Sequence, residues 1–240
     1  MEPLIIFENV VKRFNSNRVL DDISLEIRKG EVFGIIGRSG CGKSTLLKVL
    51  IGAYKINSGK IIYDGKEVTN KPNRIKDFVG ITTQENSFYD KLTVYENLKY
   101  YANLNNVKLG KARLHEILDS VGLLKSRNKV AGDMSGGMKR RLDFAISLVH
   151  NPKLLILDEP TTGLDPLLVK QFWKVVENVR KEGKTIVVIS HLFSELEDSC
   201  DRIGIMNKGK IERIIPVKEK KSDLYREFIE VVGNEGAGTQ

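Results

Sequence analysis

Ile23, Leu25 and Ile27 alternate with Asp22, Ser24 and Glu26, and this period of two predicts a half-buried strand within the Leu4 to Ile27 stretch. Lys60 to Val68 repeats the alternation around an Asp64-Gly65 turn, so the two regions together predict an antiparallel sheet. Two shorter runs do not alternate. Val32, Phe33, Ile35 and Ile36, and later Leu154 to Leu157, are apolar almost throughout, as in a strand covered on both faces of a parallel sheet. For the second run, periodicity alone also permits a buried helical segment.

Between Gln84 and Ser135 the pattern turns helical. Thr93 and Glu96 have the spacing of a capping box, and Leu114, Ile117, Leu118 and Val121 mark one apolar helix face. After Asp165, Pro166 suits a first helical position, and Leu167, Leu168, Phe172, Val175, Val176 and Val179 predict a helix packed on the sheet. Trp173 falls among that helix's surface contacts rather than at a ligand site. Gly233 to Gln240 is small and polar, the composition of a mobile tail. There is no internal repeat and no long linker.

Composition narrows the class. A chain of 240 residues with 41% hydrophobic content is long and apolar enough for one or two compact units. No apolar run approaches the ~20 residues needed to span a bilayer, and Met1 to Val10 lacks the charged start and long apolar centre of a signal peptide. Two cysteines, Cys41 and Cys200, do not make a disulfide framework, which fits a reducing cytosol. The net charge of +8 comes from 39 basic against 31 acidic residues spread along the chain, without an aromatic-interleaved basic block. No specific nucleic acid is therefore expected, and attraction to an anionic cytoplasmic leaflet is a minor contribution.

Three stretches carry chemistry. Gly37, Arg38, Ser39, Gly40, Cys41, Gly42, Lys43, Ser44 and Thr45 follow one apolar run and precede the helical Leu46, Leu47, Val49 and Leu50. Glycines at these places let backbone N–H groups close around phosphates, Lys43 reaches the β- and γ-phosphates, and the Ser44 hydroxyl holds Mg²⁺. The helix that follows points its positive end at the same anion. Asp158 and Glu159 end the second apolar run, where strand alternation would send the two carboxylates to opposite sides. Asp158 would serve the Mg²⁺ shell and Glu159 would polarise the attacking water. Ser135-Gly136-Gly137 opens a third apolar segment, with Ser135 as N-cap and two glycines that permit close approach. Lys139, Arg140 and Arg141 in that first turn oppose the helix dipole, which suits a docked anion.

With these stretches in this order, the chain resembles the ATP-binding subunits of ABC transporters over about Leu4 to Ile211. The resemblance implies an α/β fold: a P-loop NTPase (RecA-like) core with an antiparallel β subdomain in 1–84 and 135–220, and a small helical subdomain in 85–134. A terminal helix and tail would occupy 221–240. It implies that Gln84 senses Mg²⁺ and the attacking water, His191 contacts the γ-phosphate, Phe14 stacks on adenine, and Asp165 lies in the aspartate loop. Ser135 and Gly137 would bind the γ-phosphate of a nucleotide held by the opposite subunit. Met134 and Met138 stand where the signature usually has leucine and glutamine, which is similar to the daunorubicin-resistance and nodulation-type exporters. The Glu-rich loop of fused multidrug exporters is missing from Asn128 to Asp133.

The resemblance implies an ATPase that powers transport of an unidentified substrate, in the export direction, with ATP and Mg²⁺ as ligands. Its partners would be an integral-membrane transporter subunit and a second copy of itself or a homologous ATPase subunit, on the inner face of the cell membrane. Glu85 to Leu92, with Phe88 and Tyr89 as apolar anchors, would receive the membrane subunit. The alternative is a non-transport ATPase of the same superfamily acting on a macromolecular complex. The chain lacks the tandem ATPase units or long coiled coils that usually accompany that role.

Overall fold

The computed structural model describes residues 2–83, 85–217 and 223–233. In chain order it forms β1 (Pro3–Phe14), β2 (Asn17–Arg28), β3 (Val32–Gly37), α1 (Lys43–Leu50), β4 (Ser58–Tyr63), β5 (Lys66–Glu67) and α2 (Pro72–Ile75). There follow β6 (Val79–Thr82), α3 (Val94–Leu104), α4 (Lys111–Ser120), α5 (Gly136–Ser147), β7 (Leu154–Asp158) and α6 (Pro166–Lys181). The chain then runs through β8 (Thr185–Ile189), α7 (Phe193–Ser199), β9 (Arg202–Asn207), β10 (Lys210–Pro216) and α8 (Leu224–Gly233). Two compact units result, one from Met1–Lys76 with Thr185–Gln240, the other from Asp77–Lys184. The expected tail lies, beyond Gly233, outside the described residues.

In the first unit, alternation produces the antiparallel sheet β2-β1-β4-β5. Ile5 pairs with Ile27, Phe7 with Leu25 and Val10 with Ile23, and all six are buried, so one face of the pleat becomes core. Asp64 and Gly65 both take positive φ (48° and 74°), which the tight β4–β5 hairpin requires. A second layer runs β10-β9-β3-β8, with β3 parallel to both β8 and β9. Lying between two parallel neighbours, β3 is buried at every position, which is why its sequence does not alternate. Glu31 at its entrance pairs with Arg202 at 2.7 Å, and Arg202 also lies 5.3 Å from the Phe33 ring centroid.

In the second unit, β6 and β7 are parallel, from Val79↔Leu154 to Thr82↔Leu157. The ambiguous apolar run is thus a strand. Thr93 and Glu96 close the expected capping box on α3, and α4 buries Leu114, Ile117 and Leu118. Asp165 caps α6 by accepting hydrogen bonds from the N–H groups of Leu167 and Leu168, with Pro166 behind it. Phe172, Val176 and Val179 form the buried stripe of α6, and the Phe172 ring meets Phe144 of α5 at 5.7 Å. Leu167 departs from expectation. It is 66% exposed, because it falls off the Phe172, Val176 and Val179 stripe, whereas Leu168, one position on, lies against Gly137 of α5.

Candidate active site

β3 ends at Gly37, where a Cβ would lie 2.4 Å from the Met206 carbonyl oxygen and 2.6 Å from Cys41 Sγ. Arg38, Ser39 and Gly40 then form an exposed crest. Gly42, at φ 115°, turns the chain into α1 as a cap with no side chain, and the first turn of α1 carries no acid. The first N–H groups and the positive helix end are therefore available to an anion. Lys43 Nζ folds back to donate to the carbonyls of Gly37 (2.6 Å) and Arg38 (3.0 Å), which holds the ammonium over the loop. Ser44 is exposed and Thr45 half-buried. Cys41 is buried, and burial pushes its thiol up against the lowering effect of Lys43, so the side chain is packing rather than a nucleophile.

Two more predicted residues belong to this unit. The β3–β8 register Ile35↔Ile189 makes Gly37 and His191 leave the same end of the sheet, with His191 exposed just past β8. Phe14 ends β1, is 39% exposed, and meets the Tyr54 ring edge-on at 5.2 Å, with Lys12 Nζ 4.6 Å from its centroid. Tyr54, which follows α1, went unflagged because an isolated aromatic in a loop has no period to reveal it.

The second unit holds Asp158, Glu159, Ser135, Gly136, Gly137 and Asp165. Glu159 corrects the expected alternation: β7 ends at Asp158, and Glu159 sits at φ 48°, in the left-handed region beyond the strand. The placement of Glu159 after Asp158 is therefore set by that turn, not by a pleat. Thr162 donates from its hydroxyl to Glu159 Oε2 at 3.4 Å. Ser135 caps α5, accepting from the Met138 N–H at 3.4 Å, and Ser135 and Gly136 are exposed; a Cβ at Gly136 would meet only Leu164 Cδ2, at 3.9 Å. Gly137 is buried instead, where a Cβ would lie 2.7 Å from Leu168 Cδ2 of α6, so its lack of a side chain serves internal packing.

The basic turn is also corrected. Arg140 is 7% exposed and donates to the carbonyls of Pro160, Thr83 (2.6 Å), Glu159 (3.0 Å) and Asp158 (3.3 Å). Arg141 donates to the carbonyls of Gly137, Val121 and Gly122. Of the three cations expected to favour an anion, two are committed to the protein's own backbone. Asp143, one turn on, is buried and accepts from the Ser87 N–H at 2.7 Å, while burial pushes its carboxyl up to about 6. Arg140 stood out in sequence only as one of three cations facing an anion, and Asp143 not at all; their i, i+3 spacing is the only trace of the pair.

Gln84 lies outside the described residues. Of the loop after it, Phe88 is buried and Tyr89 is 48% exposed, so only the second of the two expected anchors is presented. Buried Asn97 shapes this loop by accepting from the Tyr89 N–H and donating to the carbonyls of Tyr89, Leu92 and Thr93. Tyr89 packs edge-on against Tyr100 at 4.8 Å.

A family model described as ABC transporter matches residues 20–162. Lantibiotic transport ATP-binding protein SrtF of Streptococcus pyogenes is 35% identical over 232 residues, 97% of each chain. Nod factor export ATP-binding protein I of Burkholderia thailandensis is 35% identical over 97% of this chain and 78% of its own length. Among solved structures, an ATP-binding cassette of an ABC transporter in its ADP conformation is similar with a TM-score of 0.86 at 26% identity, over 96% of this chain and 99% of that one.

Proposed function

The chain belongs to the ABC transporter ATP-binding family, an ATPase that drives transport through a separate membrane subunit, and we propose the residues and assembly by which it works in an export system. The observation that carries this reading is the loop from Gly37 to Thr45, whose lysine, uncapped helix start and left-handed glycines suit a polyphosphate. Phe14, beside Tyr54 and Lys12, would take the adenine ring. Backbone N–H groups of Gly37 to Thr45 and the Lys43 ammonium would bind the phosphates, with Arg38, Ser39, Gly40 and Cys41 shaping the cradle.

Among the described residues no group of three or more His, Cys, Asp or Glu could by itself hold a metal. Mg²⁺ keeps phosphate oxygens and waters and takes few protein oxygen ligands, such as a hydroxyl and a carboxylate. Ser44 and Asp158 would supply them, with Gln84 as the loop ligand. Bound Mg²⁺ would neutralise charge on the phosphate oxygens. Glu159 would accept a hydrogen bond from the attacking water and take its proton, and His191 would steady the γ-phosphate.

Ser135 and Gly136, exposed at the start of α5, support a site completed by a second copy or a homologous subunit, together with Gly137 and the nearby Asp165 turn. The domain reading follows: a nucleotide-binding core with its β subdomain in 1–84 and 135–220, a helical subdomain in 85–134, and a terminal segment from 221. Tyr89 with Tyr100 offers an exposed aromatic pair to the membrane subunit. No described helix is long and apolar enough to cross a membrane, so that subunit would bring the pore and hold this chain at the cytoplasmic face. The test is chromatography of a Glu159→Gln chain with Mg-ATP, followed by purification from detergent-solubilised membranes. A dimer only with ATP, and an integral-membrane chain that stimulates wild-type hydrolysis, are expected. A monomer at saturating ATP would remove the shared site, and recovery with ribosomes or DNA would replace transport.

A further inference from the structure

Arg140 sits one turn inside α5, and its planar guanidinium makes its hydrogen bonds to main-chain carbonyls on two different segments of the second unit. One segment is Asp158 to Pro160, where Glu159 holds a φ of 48° that a side-chain-bearing residue adopts only at a cost. The other is Thr83, the first residue beyond β6. Asp143, on the same face of α5, accepts from the Ser87 N–H four residues past Thr83. The exits of β6 and β7 are therefore gripped by one turn of one helix, the helix that Ser135 opens. Lysine could not reproduce this, since an ammonium lacks the rigid fork that spans several carbonyls in one plane.

We propose that Arg140 is a positioning residue for ATP hydrolysis, holding the Glu159 peptide in its left-handed turn and in register with the chain leaving β6. The inference rests on Glu159 being the residue that polarises the attacking water. Arg140 itself touches no substrate; it acts through the placement of the Glu159 carboxylate, and such placement errors cost rate rather than affinity. The helix that presents the signature residues to an opposite subunit would then also set the catalytic carboxylate of its own chain, so engagement of Ser135 and readiness of Glu159 share one rigid element.

The experiment compares Arg140→Gln and Arg140→Lys with Glu159→Gln and wild type. Turnover is measured per site able to bind a fluorescent non-hydrolysable ATP analogue, so unfolded protein does not count. The expected result is a kcat about 10- to 100-fold lower in both Arg140 variants, with KM for ATP and analogue affinity within about 2-fold of wild type. If Arg140→Gln does not fold, Arg140→Lys, which keeps the charge, carries the test. Wild-type kcat with only a lowered melting temperature would make Arg140 structural and overturn the proposal. So would a loss confined to KM. Should Glu159→Gln itself hydrolyse ATP normally, the Glu159 reading falls and takes this inference with it; an inactive Glu159→Gln beside fully active Arg140 variants sinks the positioning role alone.

Discussion

Lys43 is held by carbonyls five and six positions away in its own loop, whereas the Glu159 turn is held by an arginine 19 positions back that also grips Thr83, 57 positions from it. The phosphate loop is a local solution. Its left-handed positions fall on Gly40 and Gly42, where that conformation is cheap. The Glu159 turn is a tertiary solution, because the residue at φ 48° carries a side chain and is not glycine, so other elements have to keep it there. Local geometry can be written as a motif. Geometry enforced from a distance needs a correctly packed helix α5, and that makes the second unit the more fragile bearer of chemistry.

The largest test of this contrast separates turnover from binding. Replacing Glu159 with Gln should lower hydrolysis by roughly 10²–10⁴-fold, since the amide keeps the size and loses the proton acceptor. Affinity for ATP should change little, because the phosphate loop does not depend on that carboxylate. Stopped-flow phosphate release together with isothermal titration measures both, and retained hydrolysis would show that the tertiary turn is not the catalytic one. Lys43→Ala should do the reverse on the local side. Removing a charge-assisted contact worth about 1.5–3 kcal/mol should weaken ATP binding about 10- to 100-fold. Wild-type affinity by titration would mean that Lys43's hold on the Gly37 and Arg38 carbonyls is its whole role.

Gly42→Ala probes the loop's local economy. At φ 115° a side chain is strained, and its Cβ would lie 2.8 Å from Met206 Cε and 2.9 Å from the Val19 carbonyl oxygen. A loss of about 2 kcal/mol in unfolding stability is expected. Nucleotide binding should fall with it, read by denaturant titration with and without ATP. An unchanged midpoint would show that the loop relaxes at no cost, and that its glycine is a matter of access to the ligand alone.

The same contrast explains what the sequence made legible. Strands β2 and β4 announced themselves by alternation, α3 by Thr93 and Glu96, and the phosphate loop by nine consecutive residues, Gly37 to Thr45, each signal lying within a few positions. The burial of Arg140 was illegible for the opposite reason. Lys139, Arg140 and Arg141 look alike in a row, and only the packing of α5 against β6, α3 and α6 turns Arg140 toward the backbone carbonyls beneath it. The packing reason for Gly137 was hidden on similar grounds: its neighbour is Leu168, 31 positions on, and no local pattern encodes that approach. Leu167 failed because two adjacent leucines at a helix start do not say which of them faces the partner: Leu168 lies against Gly137 and Leu167 faces out.

The finest test concerns Asp143, which faces Arg140 on its own helix, Tyr101 of α3, and the Ser87 N–H. Burial raises its carboxyl from an ordinary 3.8 to about 6, against the lowering effects of the Ser87 N–H and Arg140. For an acid whose folded value is raised, the folded chain binds more protons than the unfolded chain between the two values. Stability from this group is therefore full below about pH 4, falls as pH rises toward 6, and stays lower above it. Asp143→Asn keeps an oxygen to accept from Ser87 and removes the charge that the interior disfavours. The full shift corresponds to about 3 kcal/mol, but Arg140 loses a nearby opposite charge, so a gain of about 1 kcal/mol at pH 7.5 is expected. The difference between variant and wild type should shrink toward zero by pH 4, which denaturant titrations across that range measure while cancelling the other carboxylates. A variant less stable than wild type at pH 7.5 would mean that the Asp143 charge, by neutralising Arg140, contributes more to the grip on the β6 and β7 exits than its own burial costs.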